Sequence, residues 1–322
     1  MREALFIKRN KERWQQMQMN PSDHPDETAE EFIQIVEDLG YSKTFYPSSK
    51  ITRYLNAEAG RRYLNIYDNQ KQSTNRLVAF FKYTLPTVIG KHQRLMLICF
   101  LLFLLFVAIG FFSARNDETF VRRILGDGYV NMTEKNIQRG KPFGVYDSGN
   151  ELLLFLRLFF NNIGVALRMF AGGILLGTFT IYALLTNGIM VGSFEYMFYS
   201  KGLLSESLLT IMIHGTIELS MITIAAASGL ILAKSWLFPG TKKRVDSLKQ
   251  GALEGLIIAM SNIPMLLIAA FFEGFVTRHA GMPAWLKLLI ITASLILLIG
   301  YFVIYPLKLK RAQRLALKES GV

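Results

Sequence analysis

The chain has 322 residues, 51% of them hydrophobic, and its 36 Lys and Arg against 24 Asp and Glu leave a net charge of +12. The apolar residues are gathered into runs of about 20 with the basic residues mostly between them, which excludes a soluble enzyme built on one buried core and excludes disorder for most of the chain. A single cysteine, Cys99, excludes an intrachain disulfide framework and any multi-cysteine zinc site.

Residues 1–94 precede the first long apolar run. The stretch 1–20 is charged and amphipathic, unlike the apolar core of a secretory leader, so the segment is expected to be a folded helical domain on the cytoplasmic side. Helical spacing begins at Glu3 and runs to about Trp14. A second helix is expected from Asp26 to Leu39, with Phe32, Ile35, Val36 and Leu39 on its inner face. Pro47-Ser48-Ser49 predicts a turn, and Leu55, Leu64 and Tyr67 then recur at helical spacing. Pro86 predicts a break just before the membrane.

The first span is expected over Leu95–Ser113, uncharged and long enough to cross the hydrocarbon core. Residues 114–150 are polar and rich in glycine, an external loop. Leu152–Thr186 is apolar but too long for one span, since 35 residues of helix reach about 52 Å. Arg157, Asn161, Gly164 and Arg168 fall on one stripe of it. This predicts an interfacial amphipathic helix over 151–162 carrying Arg157 and Arg168, then a span from about Met169 to Thr186 that Asn187-Gly188 ends. Residues 189–200 are apolar but short and carry Glu195. Further spans are expected over Ser207–Ala233, Ala252–Val276 and Trp285–Tyr305, followed by a basic tail, 307–322.

The basic loop 234–251 and the basic tail both belong in the cytoplasm by the positive-inside rule. That requires an even number of crossings between residues 94 and 234, and a short or broken crossing by 188–206 supplies it. The expected fold is therefore all-α: a polytopic helical membrane protein with five to six membrane segments, one short or broken. It divides into a cytoplasmic helical domain (1–94), a transmembrane bundle (95–306) with the external loop 114–150, and a basic cytoplasmic tail (307–322). The implied location is the inner, cytoplasmic membrane, with both termini inside.

Small residues recur at helix-packing intervals, Gly173 with Gly177 and Gly188 with Gly192, and serve either packing within the chain or a contact with a second copy. The intramembrane polar residues say more. His214 and Glu218, four apart, share a helix face, and the next span holds Glu254, Asn262 and Glu273, with Pro264 beside Asn262. Such groups are costly in hydrocarbon, so they face the bundle interior and pair. Structural pairing, a proton or ion path and a metal site all remain open readings, the last lacking an evident full ligand set from spacing alone. No hydrolase, zinc-peptidase or phosphate-loop motif is present, so no catalytic residues and no cofactor are assigned. The positive charge is accounted for by topology and anionic lipid, not by nucleic acid.

Asn161-Asn162, Gly172-Gly173 with Gly177, Asn187-Gly188 with Gly192, His214-Gly215 with Glu218, and Glu273-Gly274-Phe275 occur in the order seen in the stage II sporulation protein M family, which the chain resembles over nearly its whole length. Arg2-Glu3-Ala4 with Phe6-Ile7, Asn10 and Trp14 resembles the start of many members. The resemblance implies a polytopic membrane protein with a cytoplasmic amino-terminal region. In sporulating bacteria such proteins anchor a complex of peptidoglycan-degrading enzymes, and many other members occur in bacteria that do not sporulate. Two functions are therefore expected in competition. One is a membrane scaffold that recruits other membrane or envelope proteins, including further copies of itself. The other is an ion- or proton-coupled transporter or channel lined by His214, Glu218 and Glu273. An intramembrane metal-dependent enzyme stands behind both.

Overall fold

A computed structural model describes residues 2–19, 25–68, 75–144, 150–277 and 282–319; parts of the expected external loop (145–149) and basic tail (320–322) lie outside the described residues. Described residues are almost all helical and include no strand. The chain divides into two compact units, Met1–Arg76 and Leu77–Val322.

In the first unit, α1 (Glu3–Met19), α2 (Pro25–Phe45) and α3 (Lys50–Asp68) close around Phe6, Trp14, Met17, Ile35, Leu55 and Ala59. The expected inner face of α2 is split: Ile35 is fully buried, whereas Val36 is exposed. Polar ties fix the pairing of the helices. The Trp14 indole donates to Asp38 at 2.7 Å, and buried Arg62 joins Glu31, Glu58 and the Met17 carbonyl.

The second unit begins with α4 (Arg76–Ala79), a π-helical stretch Phe80–Thr84 and α5 (Leu85–Asn116), which form one rod. The expected break at Pro86 does not occur. Proline has no N–H, and the rod continues because other donors reach the carbonyls this leaves over: Tyr301 Oη donates to Phe81 O at 2.7 Å and Tyr305 Oη to Lys82 O at 2.8 Å. Two short helices, α6 (Glu118–Leu125) and α7 (Asp127–Gln138), follow where an external loop was expected. Asp117 caps α6, accepting from the Thr119 backbone N–H at 2.8 Å and its hydroxyl at 2.7 Å; these bonds hold its carboxyl below the ordinary carboxylate pKa. Val121 and Val130 of this pair pack on Ala114, Met197 and Phe198.

The remaining helices are α8 (Glu151–Ala171), α9 (Thr178–Ser200), α10 (Leu204–Leu237), α11 (Arg244–Phe271), α12 (Ala284–Leu298) and α13 (Tyr305–Glu319). Among the described residues five stretches are long and apolar enough to cross a membrane: Arg76–Asn116, Glu151–Leu175, Leu204–Leu237, Arg244–Val276 and Ala284–Ala312. Helix α10 is the most buried and touches α5, α8, α9, α11 and α12.

The expected division of 151–206 is corrected. There is no separate interfacial helix over 151–162: α8 is continuous for 21 residues, about 31 Å, and packs along α11 from Phe155 beside Gly274 to Phe170 beside Gly255. Arg157 and Arg168 are exposed on its outer side, where long side chains can extend toward either membrane face. Nor does Asn187-Gly188 end a helix. The chain reverses earlier, through a 3-10 turn at Gly172–Leu175 and two left-handed residues, Leu176 (φ 57°) and Gly177 (φ 80°). Helix α9 then runs unbroken through Asn187, whose amide donates to Ala183 O at 2.8 Å. Along α9, Gly188 meets Phe103 and Phe106, Gly192 meets Val107 and Phe111, and Tyr196 and Tyr199 meet the Phe111 ring. The numbers rise together, so α9 runs parallel to α5 and α8 lies antiparallel to both in the chain path. Helix α9 is 23 residues long and packs against α5, though it is not among the five stretches; an even count between residues 94 and 234 requires that it cross as well.

Candidate functional site

The site depends on how α10 meets α11. Gly255 packs against the Ser228 carbonyl and Gly251 against Ser235, so the two backbones approach closely and antiparallel. That register carries Glu273 to the level of His214 and Glu218. At the same level α11 loosens into a π-helical turn, Phe272–Val276, closed by Thr277 N to Phe272 O at 2.8 Å. Such turns are frequent at functional positions because the extra residue re-aims its side chains. Gly274 within it lets Phe155 of α8 close over the turn.

One nitrogen, one hydroxyl and two carboxylates result. The donor atoms of His214, Glu218 and Glu273 all lie within 4.8 Å of one another. His214 Nε2 is 3.9 Å from Glu273 Oε1, and His214 Nδ1 is 3.0 Å from Thr277 Oγ1. His214 and Glu273 are 4% and 8% exposed, deep for ionisable groups. The Thr277 hydroxyl donates its single hydrogen to Phe272 O at 3.1 Å, so toward His214 it accepts, and the proton of a neutral imidazole belongs on Nδ1. The Nε2 lone pair then faces the carboxylates.

Glu218 also borders a cavity of about 80 Å³ shared with Asn161, Asn162 and Asn187, enough for two or three waters. The asparagines expected as helix breaks thus converge on this space from α8 and α9. Tyr129 of α7 lies within electrostatic reach of the cluster: burial raises its phenol pKa, and Glu273 adds to it.

The other expected members of the polar cluster lie elsewhere. Asn262 is 1% exposed, and neither its amide nitrogen nor its amide oxygen has a hydrogen-bond partner among the described residues. Glu254 sits at the opposite end of α11, bonded to His92 at 2.6 Å and Lys91 at 3.0 Å. Gly172, Gly173 and Gly177 belong to the reversal, with Gly173 against the Gly229 carbonyl, while Gly188 and Gly192 are contact points on α5. Sequence reasoning missed Thr277, although its place four residues after Glu273 was a usable signal. It also missed Lys287, a buried cation in an apolar run, whose Nζ donates to Thr210 Oγ1 at 3.0 Å.

Fold and site together define a polytopic helical membrane protein with a polar cluster enclosed by its own helices. Residues 99–278, more than half of the 322, match the family model described as Stage II sporulation protein M, and the chain belongs to that family. A second model, described as a domain of unknown function, matches residues 4–68, within the amino-terminal unit. No curated protein and no solved structure matches the chain.

Proposed function

We propose that the protein is a non-catalytic membrane scaffold of the cytoplasmic membrane, with both termini inside, that recruits other membrane or envelope proteins. One observation carries this reading: the amino-terminal unit has its own core and its own family match, distinct from the membrane bundle. A module of that kind on a bundle is the arrangement an anchor requires. Its α2 also presents Ile33 and Val36, three residues apart and 55% and 42% exposed, as an apolar strip on one face. The test is photo-crosslinking from residues 33 and 36 of the full chain in its native membrane. Discrete adducts from residue 33 that vanish with Val36→Asp, and from residue 36 that vanish with Ile33→Asp, while the chain stays in the membrane, support the scaffold. Absence of adducts, with full function retained by the bundle alone, refutes it.

A second reading, ion- or proton-coupled transport, is favoured by the polar cavity in which Glu218 meets three asparagines. Reconstituted protein should then carry a flux that Glu218→Gln abolishes without loss of folded protein. Silence toward protons, common cations and anions would end that reading.

A further inference from the structure

We propose that His214, Glu218 and Glu273 bind one divalent first-row transition-metal ion of the Zn²⁺ or Mn²⁺ class, with Thr277 as the residue that positions the imidazole. The inference is independent of the scaffold and transport readings, since a bound ion could staple α10 to α11 in either.

Four observations point to it. First, the 3.9 Å between His214 Nε2 and Glu273 Oε1 is too long for a hydrogen bond, but it suits two ligands on a shared ion, whose bonds of about 2.1 Å place donor atoms about 3–4 Å apart. Second, Thr277 occupies Nδ1 and directs the lone pair of Nε2 at the carboxylates. A hydrogen bond on the remote nitrogen is how ligating histidines are commonly held. Third, charge balances: two carboxylates and a dication sum to zero, which relieves the repulsion of two acidic groups enclosed by apolar helices. Fourth, the π-helical turn at Phe272–Val276 brings Glu273 and Thr277 onto the site together, from one turn of one helix. An imidazole among few protein oxygens suits a transition ion better than Ca²⁺ or Mg²⁺, which favour all-oxygen shells. Three protein ligands leave room for water, and Glu218 borders the cavity it shares with Asn161, Asn162 and Asn187.

The test uses the full chain, purified in detergent, stripped with chelator and dialysed against Zn²⁺, Mn²⁺ or Co²⁺. Wild type should retain close to one equivalent per chain, show Co²⁺ ligand-field absorption and gain thermal stability over the stripped form. Glu218→Gln, Glu273→Gln and His214→Ala should each weaken binding by more than about 100-fold, and Thr277→Val by about 10- to 100-fold. Glu195→Gln, a buried carboxylate outside the cluster, should leave binding unchanged. Size-exclusion profile and helicity identify variants that remain folded. Wild type that retains none of the three ions, or folded Gln variants that bind as wild type does, would overturn the proposal and leave protons as what neutralises these carboxylates.

Discussion

The hydroxyl of Tyr305 donates to the carbonyl of Lys82 at 2.8 Å, four residues before Pro86 and therefore at the acceptor a proline leaves unused in an α-helix. Tyr301 does the same for Phe81, five residues before, the acceptor that the preceding π-helical register would use. The two tyrosines thereby join the last membrane helix to the first. Tyr301→Phe and Tyr305→Phe should each cost about 1–2 kcal/mol in thermal or denaturant unfolding of the detergent-solubilised chain. In Pro86→Ala the helix regains its own donor, so the same substitutions should cost less. Equal costs in both backgrounds would show that the hydroxyls do not serve the proline gap.

The glycines divide by what a methyl group would meet. At Gly192 an added Cβ would run into the Val107 carbonyl and come within 2.6 Å of Phe111 N, so Gly192→Ala should destabilise by about 1–3 kcal/mol or more. Gly40 and Gly60 have nothing within 4 Å, and alanine there should stabilise the amino-terminal helices by about 0.5–1 kcal/mol through lower chain entropy. Hydrogen exchange of α2, α3 and α9 in the full chain reads both signs.

Arg62 is 5% exposed and faces two carboxylates and a carbonyl. Arg62→Ala removes the cation beside Glu31 and leaves Glu58 with Arg61 alone, at 3.3 Å, and should cost about 3–5 kcal/mol, seen as rapid proteolysis within α1–α3. Converting Glu31 and Glu58 to Leu in the same chain, with Arg62→Met, should restore much of the loss. Lack of any rescue would place the role of Arg62 in the Met17 carbonyl contact instead.

If α8 and α9 both cross, single cysteines in a Cys99→Ser background should label by side. Ile174, in the reversal, should react from the same face as Thr241 between α10 and α11, and Asn131 on α7 from the opposite face. Reaction of residue 174 together with residue 131 would put α8 back on the membrane surface.

Much of the site was legible because part of it is local. His214 and Glu218 are four apart, and that alone set them on one face. Glu273 joins them only through the α10–α11 register, which glycines set and no local spacing encodes. Glu254 was separable in advance: nineteen residues of helix from Glu273 is about 28 Å, the length of a bilayer core, and it belongs with the basic residues at the other end. Asn187-Gly188 reads as a turn, yet Asn187 bonds back to Ala183 and Gly188 makes room for Phe106, so tertiary packing overrode the turn signal. The true reversal at Leu176–Gly177 needed φ values that composition only hints at.

That reversal bears on how the protein is made. Helix α8 lies within the least hydropathic of the five spans and carries two arginines, α9 is not among the five, and six residues separate them, with Thr180 Oγ1 tied to Met169 O at 2.7 Å across the bend. Neither helix should leave the translocon for lipid efficiently by itself. The pair should partition as one hairpin, with Asn162 and Asn187 lining one space between the two helices and α5 already in place to receive α9. An insertion assay on nascent chains would show this as poor integration of 151–171 alone and efficient integration of 151–200, so the order of synthesis becomes part of how Asn162 is hidden.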